Sequence, residues 1–292
     1  MESIIVCNTA EDSLVKINLK DYSMDYLPLY LGENPIGPHS LCYYKGKIIT
    51  ANSFGNSISI IDLNNFKEVK NIYVGGHPND IKVLNGMAYI ACGEFNSLVI
   101  VDINTEKICF AISLDDNPNS IEIDEEKKIA YVCNMYGSSI SVVDCINNII
   151  INEIDTEDYP VKISLSKDKK MLYICESYLG ENINGDIKII STDNYDTLKR
   201  IEVGKAPIDL WEDDKKLYIT NFLSGSISIV DTVKGIEIKK ILVDGMPRGI
   251  IKYNDDIFIG DYLNGIIKIV KLKEGKIKNI AIGKEPNAMI LI

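Results

Sequence analysis

Seven prolines recur at nearly constant spacing along the chain. Pro38, Pro78, Pro118, Pro160, Pro207, Pro247 and Pro286 are separated by 40, 40, 42, 47, 40 and 39 residues. A period near 40 means that one supersecondary unit is repeated and stacked, each copy burying its apolar surface on the next. Three positions after each proline stands an apolar residue: Leu41, Ile81, Ile121, Ile163, Leu210, Ile250 and Met289. A second signature ends at Asn52, Cys92, Asn134, Glu176, Asn221 and Asp261, as in Tyr131-Val132-Cys133-Asn134. A third closes at Asp62, Asp102, Asp144 and Asp231, as in Ser57-Ile58-Ser59-Ile60-Ile61-Asp62. These alternating β-branched runs, with turn residues between them, predict a four-stranded meander per unit and an all-β chain.

The two ends predict how the array closes. Ile4–Asn8 matches the second strand of the unit and Ser13–Asn18 the third, with no first strand before them. That strand appears instead at Gly283–Ile292. Complementary half-units predict a ring in which the C-terminal strand pairs with the N-terminal strands, leaving no sheet edge open. The expectation is a single seven-bladed β-propeller domain over 1–292, with four-stranded antiparallel blades.

The motif running through Gly-x-x-Pro, Tyr-Val-x-Asn and Ser-Ile-x-Val-Val-Asp resembles the YVTN-type repeat of YncE-like β-propellers along essentially the whole chain. The resemblance implies the seven-bladed fold and no particular reaction, since the family is similar in architecture across proteins of different use. Glu176 and Asp261 depart from the motif's Asn in two blades. Trp211 followed by Glu212, and the lone Gly76-His77 pair, do not make WD40 repeats.

Composition narrows the partners. A net charge of −11 repels phosphate backbones and anionic lipid, so neither nucleic acid nor a membrane surface is expected. No apolar run approaches the roughly 20 residues of a spanning helix, and the N-terminus has no basic region of a signal peptide. Seven cysteines without a CxxC pair read as reduced, buried thiols. The chain is therefore expected to be cytoplasmic and monomeric.

In such blades the Pro links and the loops after the second strands share one face, around one mouth of the central channel. Hairpin turns such as Asn85-Gly86 occupy the other. Polar residues follow the prolines nearest the axis: His39, Asn79, Asp80, Asn119, Lys162, Asp209, Arg248 and Asn287. They read either as a funnel for a small ligand or as partners for backbone groups and water in a narrow channel. An aromatic follows six of the second strands: Phe54, Phe95, Tyr136, Tyr178, Phe222 and Tyr262. Exposed, these would form a rim for a peptide or a flat ligand; buried, they would wedge blades together.

Chemistry-bearing candidates are few. His39 and His77 could act as acid/base in a lyase or lactonase reaction. Glu176, Asp209 and Asp261, on neighbouring blades, could hold a divalent cation or else pair with cations such as Arg248 and Lys162. An Asn at the second-strand end can cap its loop by bonding backbone amides. The longest blade carries an insertion at Ser177–Asp186 on the same face, whose Asn182, Asn184 and Asp186 only loosely resemble a calcium loop. There is no HExxH, GxSxG, P-loop or CxxCH. The leading expectation is a propeller that binds a small molecule or a protein on this face, with no resident cofactor. The alternative is an enzyme of lyase or lactonase type.

Overall fold

Each repeat folds as its alternation predicts. In the computed structural model, which describes residues 2–292, blade 2 is Pro38–Tyr44, Lys47–Asn52, Ser57–Asp62 and Lys67–Tyr73, paired antiparallel in that order. Seven such sheets make up the fold, and among the described residues the only helix is a 3-10 turn at Thr9–Glu11. The second and third strands are buried on both faces, which is why they read as near-continuous Ile, Val and Tyr runs. The fourth strands lie outermost and are largely exposed.

The ring closes as the two half-units require. Pro286–Leu291 is the first strand of blade 1 and pairs with Ser3–Asn8, with Ile4 opposite Leu291, Ile5 opposite Ile290 and Val6 opposite Met289. Ser13–Asn18 and Met24–Pro28 complete that sheet.

The core is divided as a ring divides it. Seven apolar clusters lie one at each junction between neighbouring blades. The junction joining the two chain ends packs Ile4, Val6, Val15 and Ile17 of blade 1 against Ile251, Phe258, Ile267 and Ile269 of blade 7. The sheets therefore stand face to face around the axis, and no blade can bury its apolar sides alone.

The cysteines follow expectation only in part. Cys7, Cys42, Cys92, Cys133 and Cys175 are buried thiols, whereas Cys109 is exposed on an outer strand and Cys145 is half-buried. An outermost strand has one face with no neighbouring blade to cover it.

Candidate binding site at the channel mouth

Every first strand begins with a β-bulge. The register of blades 2 to 6 shifts between the proline and the residue two positions on, and blades 7 and 1 shift at the equivalent place. An extra residue breaks strand alternation, so two consecutive side chains can face the same way. All seven blades use this. His39-Ser40, Asn79-Asp80, Asn119-Ser120, Val161-Lys162, Ile208-Asp209, Arg248-Gly249 and Asn287-Ala288 together line one axial cavity of about 310 Å³. The polar residues expected after the prolines are thus gathered in one place. Met135, Leu179 and Phe222 come down from the loops to complete the wall.

The floor is a belt of paired charges. Lys162 lies 3.4 Å from Asp209, and Lys82 lies 3.1 Å from Glu122. Asp80 joins three blades, accepting from the hydroxyls of Ser40 and Ser120 and from the N–H groups of Ile81 and Ile121. Asp209 repeats the device with the N–H groups of Leu210 and Ile250. Burial alone would drive the Lys162 ammonium towards neutrality, but Asp209, Asp80 and Glu122 outweigh it and hold the pKa above the usual lysine value. Asp80 is pushed up by burial, yet Lys162, Lys82 and its hydrogen bonds bring it below the usual carboxylate value. Below the belt a second cavity, of about 430 Å³, continues along the axis between Lys82, Glu122, Trp211 and Met289.

The upper wall carries a different arrangement. Arg248 donates from Nη2 to His39 Nε2 at 3.1 Å and from Nε to Asn287 Oδ1 at 2.5 Å. A guanidinium can only donate, so His39 Nε2 is the acceptor and Nδ1 carries the proton, donated to the Asn79 carbonyl at 2.8 Å. Burial, then the nearby Arg248 charge, lower the His39 pKa to about 4. His39 is therefore a neutral ring with its one lone pair already engaged. His77 is not beside it: it precedes Pro78 in a left-handed backbone conformation (φ 53°), its ring 6.4 Å from that of Phe54.

Asn79 and Asn119 tie the mouth to the next blade, donating to the carbonyls of Pro118 and Val161. Where a hydroxyl follows the second strand it reaches the same kind of carbonyl: Thr9 to Pro38, Ser53 to Pro78 and Ser177 to Pro207. Blade 3 has Gly93 at that position instead. A Cβ there would sit 2.6 Å from Asn79 Nδ2, so the glycine leaves room for Asn79 to make the tie.

The six aromatics fall into three settings, which offset from the strand end does not decide alone, since Phe54, Tyr136 and Tyr178 share an offset of two. Phe54, Phe95 and Tyr136, two or three residues on, are 50%, 62% and 57% exposed and stand on the outer rim of blades 2 to 4. Phe54 lies on Gly37, Phe95 on Gly75 and Gly76, and Tyr136 meets Tyr159 edge-on at 6.0 Å. Phe222 and Tyr262, one residue on, turn inward. Their rings meet at 5.9 Å, Phe222 lines the cavity, and the Arg248 guanidinium lies 5.6 Å from the Tyr262 ring. Tyr178 instead lies in an ion network, its hydroxyl donating to Asp186 and accepting from Arg200.

Glu176, Asp209 and Asp261 are not brought together. Each faces its own cation: Glu176 lies 3.1 Å from Arg200 and 4.0 Å from Lys188, and Asp261 lies 2.7 Å from Lys268. Among the described residues no group of three or more His, Cys, Asp or Glu is arranged to hold a metal ion. In the inserted loop, Asn182 meets Lys205, Asn184 meets Glu202 and Asp186 meets Arg200, so the three do not converge.

The variable position at the second-strand end has a simple rule. Asn52, Asn134 and Asn221 donate to serine pairs on the third strand (Ser57 and Ser59, Ser139 and Ser141, Ser226 and Ser228) more than to backbone. Only Asn221 also accepts a link N–H, from Gly204. Where Asn becomes Glu176 or Asp261, the second serine becomes Lys188 or Lys268, and where it becomes Cys92 it becomes Val99. Blade 1 is the exception, since Asn8 keeps Ser13 but has Val15 at the second position and donates to the Ile282 carbonyl instead. This covariation between repeats was readable in the sequence and would have revealed both lysines. Burial raises the Glu176 pKa despite the cations around it. Asp261 is also pushed up by burial, but Asn264, Lys268 and the Met246 N–H bring it below its ordinary value.

Two solved structures share this architecture. "Kuenenia stuttgartiensis Hydrazine Synthase" aligns with a TM-score of 0.78 at 18% identity, covering 89% of this chain and 90% of that one. "Streptogramin B lyase structure" aligns with a TM-score of 0.73 at 17% identity, covering 86% of each. At such identities the likeness is one of fold, a seven-bladed propeller. No protein-family model matches the chain, and no curated protein matches it by sequence.

Proposed function

We propose that this protein is a binding propeller whose ligand site is the channel mouth bounded by the Pro-containing links. The observation that carries this reading is the paired lining. All seven bulges turn two residues each into one cavity of about 310 Å³, where polar groups from every blade are joined by the apolar Met135, Leu179, Ile208 and Phe222 of blades 4 to 6. A concave site with an apolar wall and a few oriented polar groups is the usual form of a small-molecule site, and this volume suits a small one. The enzyme alternative draws less support, because His39 has its lone pair engaged and a pKa of about 4, while His77 lies outside the lining. We read the protein as a cytoplasmic monomer that needs no metal for this role. No helix among the described residues is long and apolar enough to cross a membrane.

The test is a thermal-shift screen of a metabolite library against the wild type and Ile208→Trp. Ile208 lines the mouth and takes part in none of the ties above, so the indole should fill the cavity without breaking them. A ligand at 100 times its dissociation constant adds about 2.7 kcal/mol, a shift of several degrees. Compounds that shift the wild type and not Ile208→Trp support the reading. Compounds that shift both equally place binding elsewhere.

A specific observation favours one further reading, a peptide or protein lying across the rim. The exposed rings of Phe54, Phe95 and Tyr136 form an arc on three consecutive blades of the same face. Loss of a captured partner in Phe95→Ala and Tyr136→Ala, with Ile208→Trp unaffected, would favour it.

A further inference from the structure

The mouth contains two cations, and they are not equivalent. Lys162 sits in the belt against Asp209, whereas no carboxylate lies within 4.0 Å of Arg248 among the described residues. The groups that Arg248 touches are all neutral (an amide oxygen, an imidazole nitrogen and the face of Tyr262), while the carboxylates of Asp209 and Glu285 act on it only from beyond contact distance. These contacts use two of its five N–H donors. The remaining three have no protein acceptor, and two of them are on Nη1.

A charged group with no carboxylate in contact, in a partly enclosed site, is poised to pair with an opposite charge brought from outside. Two neighbours hold the guanidinium in place. Asn287 fixes Nε, and His39, itself anchored on the Asn79 carbonyl, fixes Nη2. A pre-organised planar fork is the geometry that matches a carboxylate bidentately. Beside it, the Tyr262 ring meets that of Phe222, and Phe222 continues into the cavity with Met135, Leu179 and Ile208.

Resting on the mouth being the binding site, we infer that its ligand is a small monocarboxylate with a flat or apolar body. The carboxylate pairs with Arg248, and the body lies along Phe222 towards Met135 and Leu179. A phosphate monoester fits less well. It brings up to two charges to a wall with one unpaired cation, since Asp209 already neutralises Lys162. The mouth also has no helix N-terminus to add donors, because the one helical turn among the described residues has only three residues.

The test uses three probes of similar shape (phenylacetate, phenylacetamide and phenyl phosphate) against the full-length protein by ligand-observed NMR and calorimetry. Phenylacetate should bind the wild type at least tenfold more tightly than phenylacetamide and more tightly than phenyl phosphate. Arg248→Gln should bring the acid down to the level of the amide, and Arg248→Lys should restore part of the difference. The melting temperature of each variant shows whether it is folded. An amide that binds as well as the acid overturns the inference while leaving the mouth intact as a site for neutral ligands. Tighter phenyl phosphate, undiminished acid binding by Arg248→Gln, or no phenylacetate binding to the wild type each overturn it too. Failure of the mouth itself is read separately, from library compounds that shift the wild type and Ile208→Trp alike.

Discussion

His39 Nε2 accepts from Arg248 Nη2 at 3.1 Å, joining blade 2 to blade 7 across the channel mouth. This contact fixes the tautomer of the histidine, removes its free lone pair and holds the arginine towards the cavity. A residue that looked like a candidate base is instead the support of a cation.

The pH dependence of this contact can be measured. Burial, and then Arg248, depress the His39 pKa from 6.5 to about 4. The stability tied to the neutral ring is complete above about pH 6.5, erodes as the unfolded ring takes up a proton, and is gone below about pH 4. At about 1.4 kcal/mol per unit this is on the order of 3 kcal/mol. Urea melts should show a shallower loss between pH 6.5 and 4 for His39→Gln than for the wild type. Parallel curves would mean that the ring titrates as it does in the unfolded chain.

Removing residues 284–292 deletes the strand that pairs with Ser3–Asn8 and opens the ring. Both blade 1 and the packing between blades 7 and 1 then lose a partner. Calorimetry should show loss of the cooperative transition, or a fall of more than 10 °C in its midpoint. A truncated chain melting with the full-length protein would show that closure contributes nothing.

Asp261 and Lys268 should behave as one unit. Both are buried, so Asp261→Asn alone leaves a lysine without its charge partner, at about 3–5 kcal/mol. Asp261→Asn combined with Lys268→Ser recreates one of the two Asn–serine contacts of blade 6, that of Asn221 with Ser228, Ile266 standing where blade 6 has Ser226, and should recover part of that loss. Denaturant melts of the four proteins give the coupling directly. Additive losses would dissolve the pairing rule.

Gly249 stands with φ +63°, and a Cβ there would meet the Asn287 carbonyl oxygen at 2.2 Å. Gly275, with φ +66°, has nothing within 4 Å of its Cβ position. Gly275→Ala should cost about 1–2 kcal/mol, from its backbone conformation alone. Gly249→Ala should cost about 1–3 kcal/mol more, from the clash, and should also weaken any ligand that depends on Arg248. Equal melting temperatures for the two variants would count against the close approach of blades 7 and 1.

Thiol titration should find Cys109 first. Burial raises the pKa of Cys42 and Cys92 to about 12 and that of Cys145 to about 11, and pushes Cys7, Cys133 and Cys175 up as well. Native protein should release one equivalent rapidly with Ellman's reagent, and Cys109→Ser should abolish that phase.

Several features were legible because they are local or periodic. The prolines, the strand alternation and the split repeat at the two ends state the blade, the number of blades and the closure, since each depends on short-range backbone chemistry repeated seven times. The residues after the prolines were also found, because the repeat places them all nearest the axis. The covariation of Asn, Glu and Asp with Ser59, Lys188 and Lys268 was equally open to reading, as both partners lie in one hairpin.

Other features depend on contacts between blades. His39 and Arg248 are 209 positions apart, and nothing local says that one accepts from the other. Phe54 and Phe222 look alike in sequence, yet one ring stands on the rim and the other lines the mouth. The sequence by itself determined the repeating unit and the face on which function can sit, because hydrogen-bond ladders and apolar alternation are properties of neighbouring residues. Only the closed ring decided which charges cancel and which remain. Asp209 falls to Lys162, Glu176 to Arg200 and Asp261 to Lys268, while Arg248 is left with only neutral groups in contact. Pairing of charges is settled by distance in three dimensions, and those distances exist only once blade 7 stands beside blade 1.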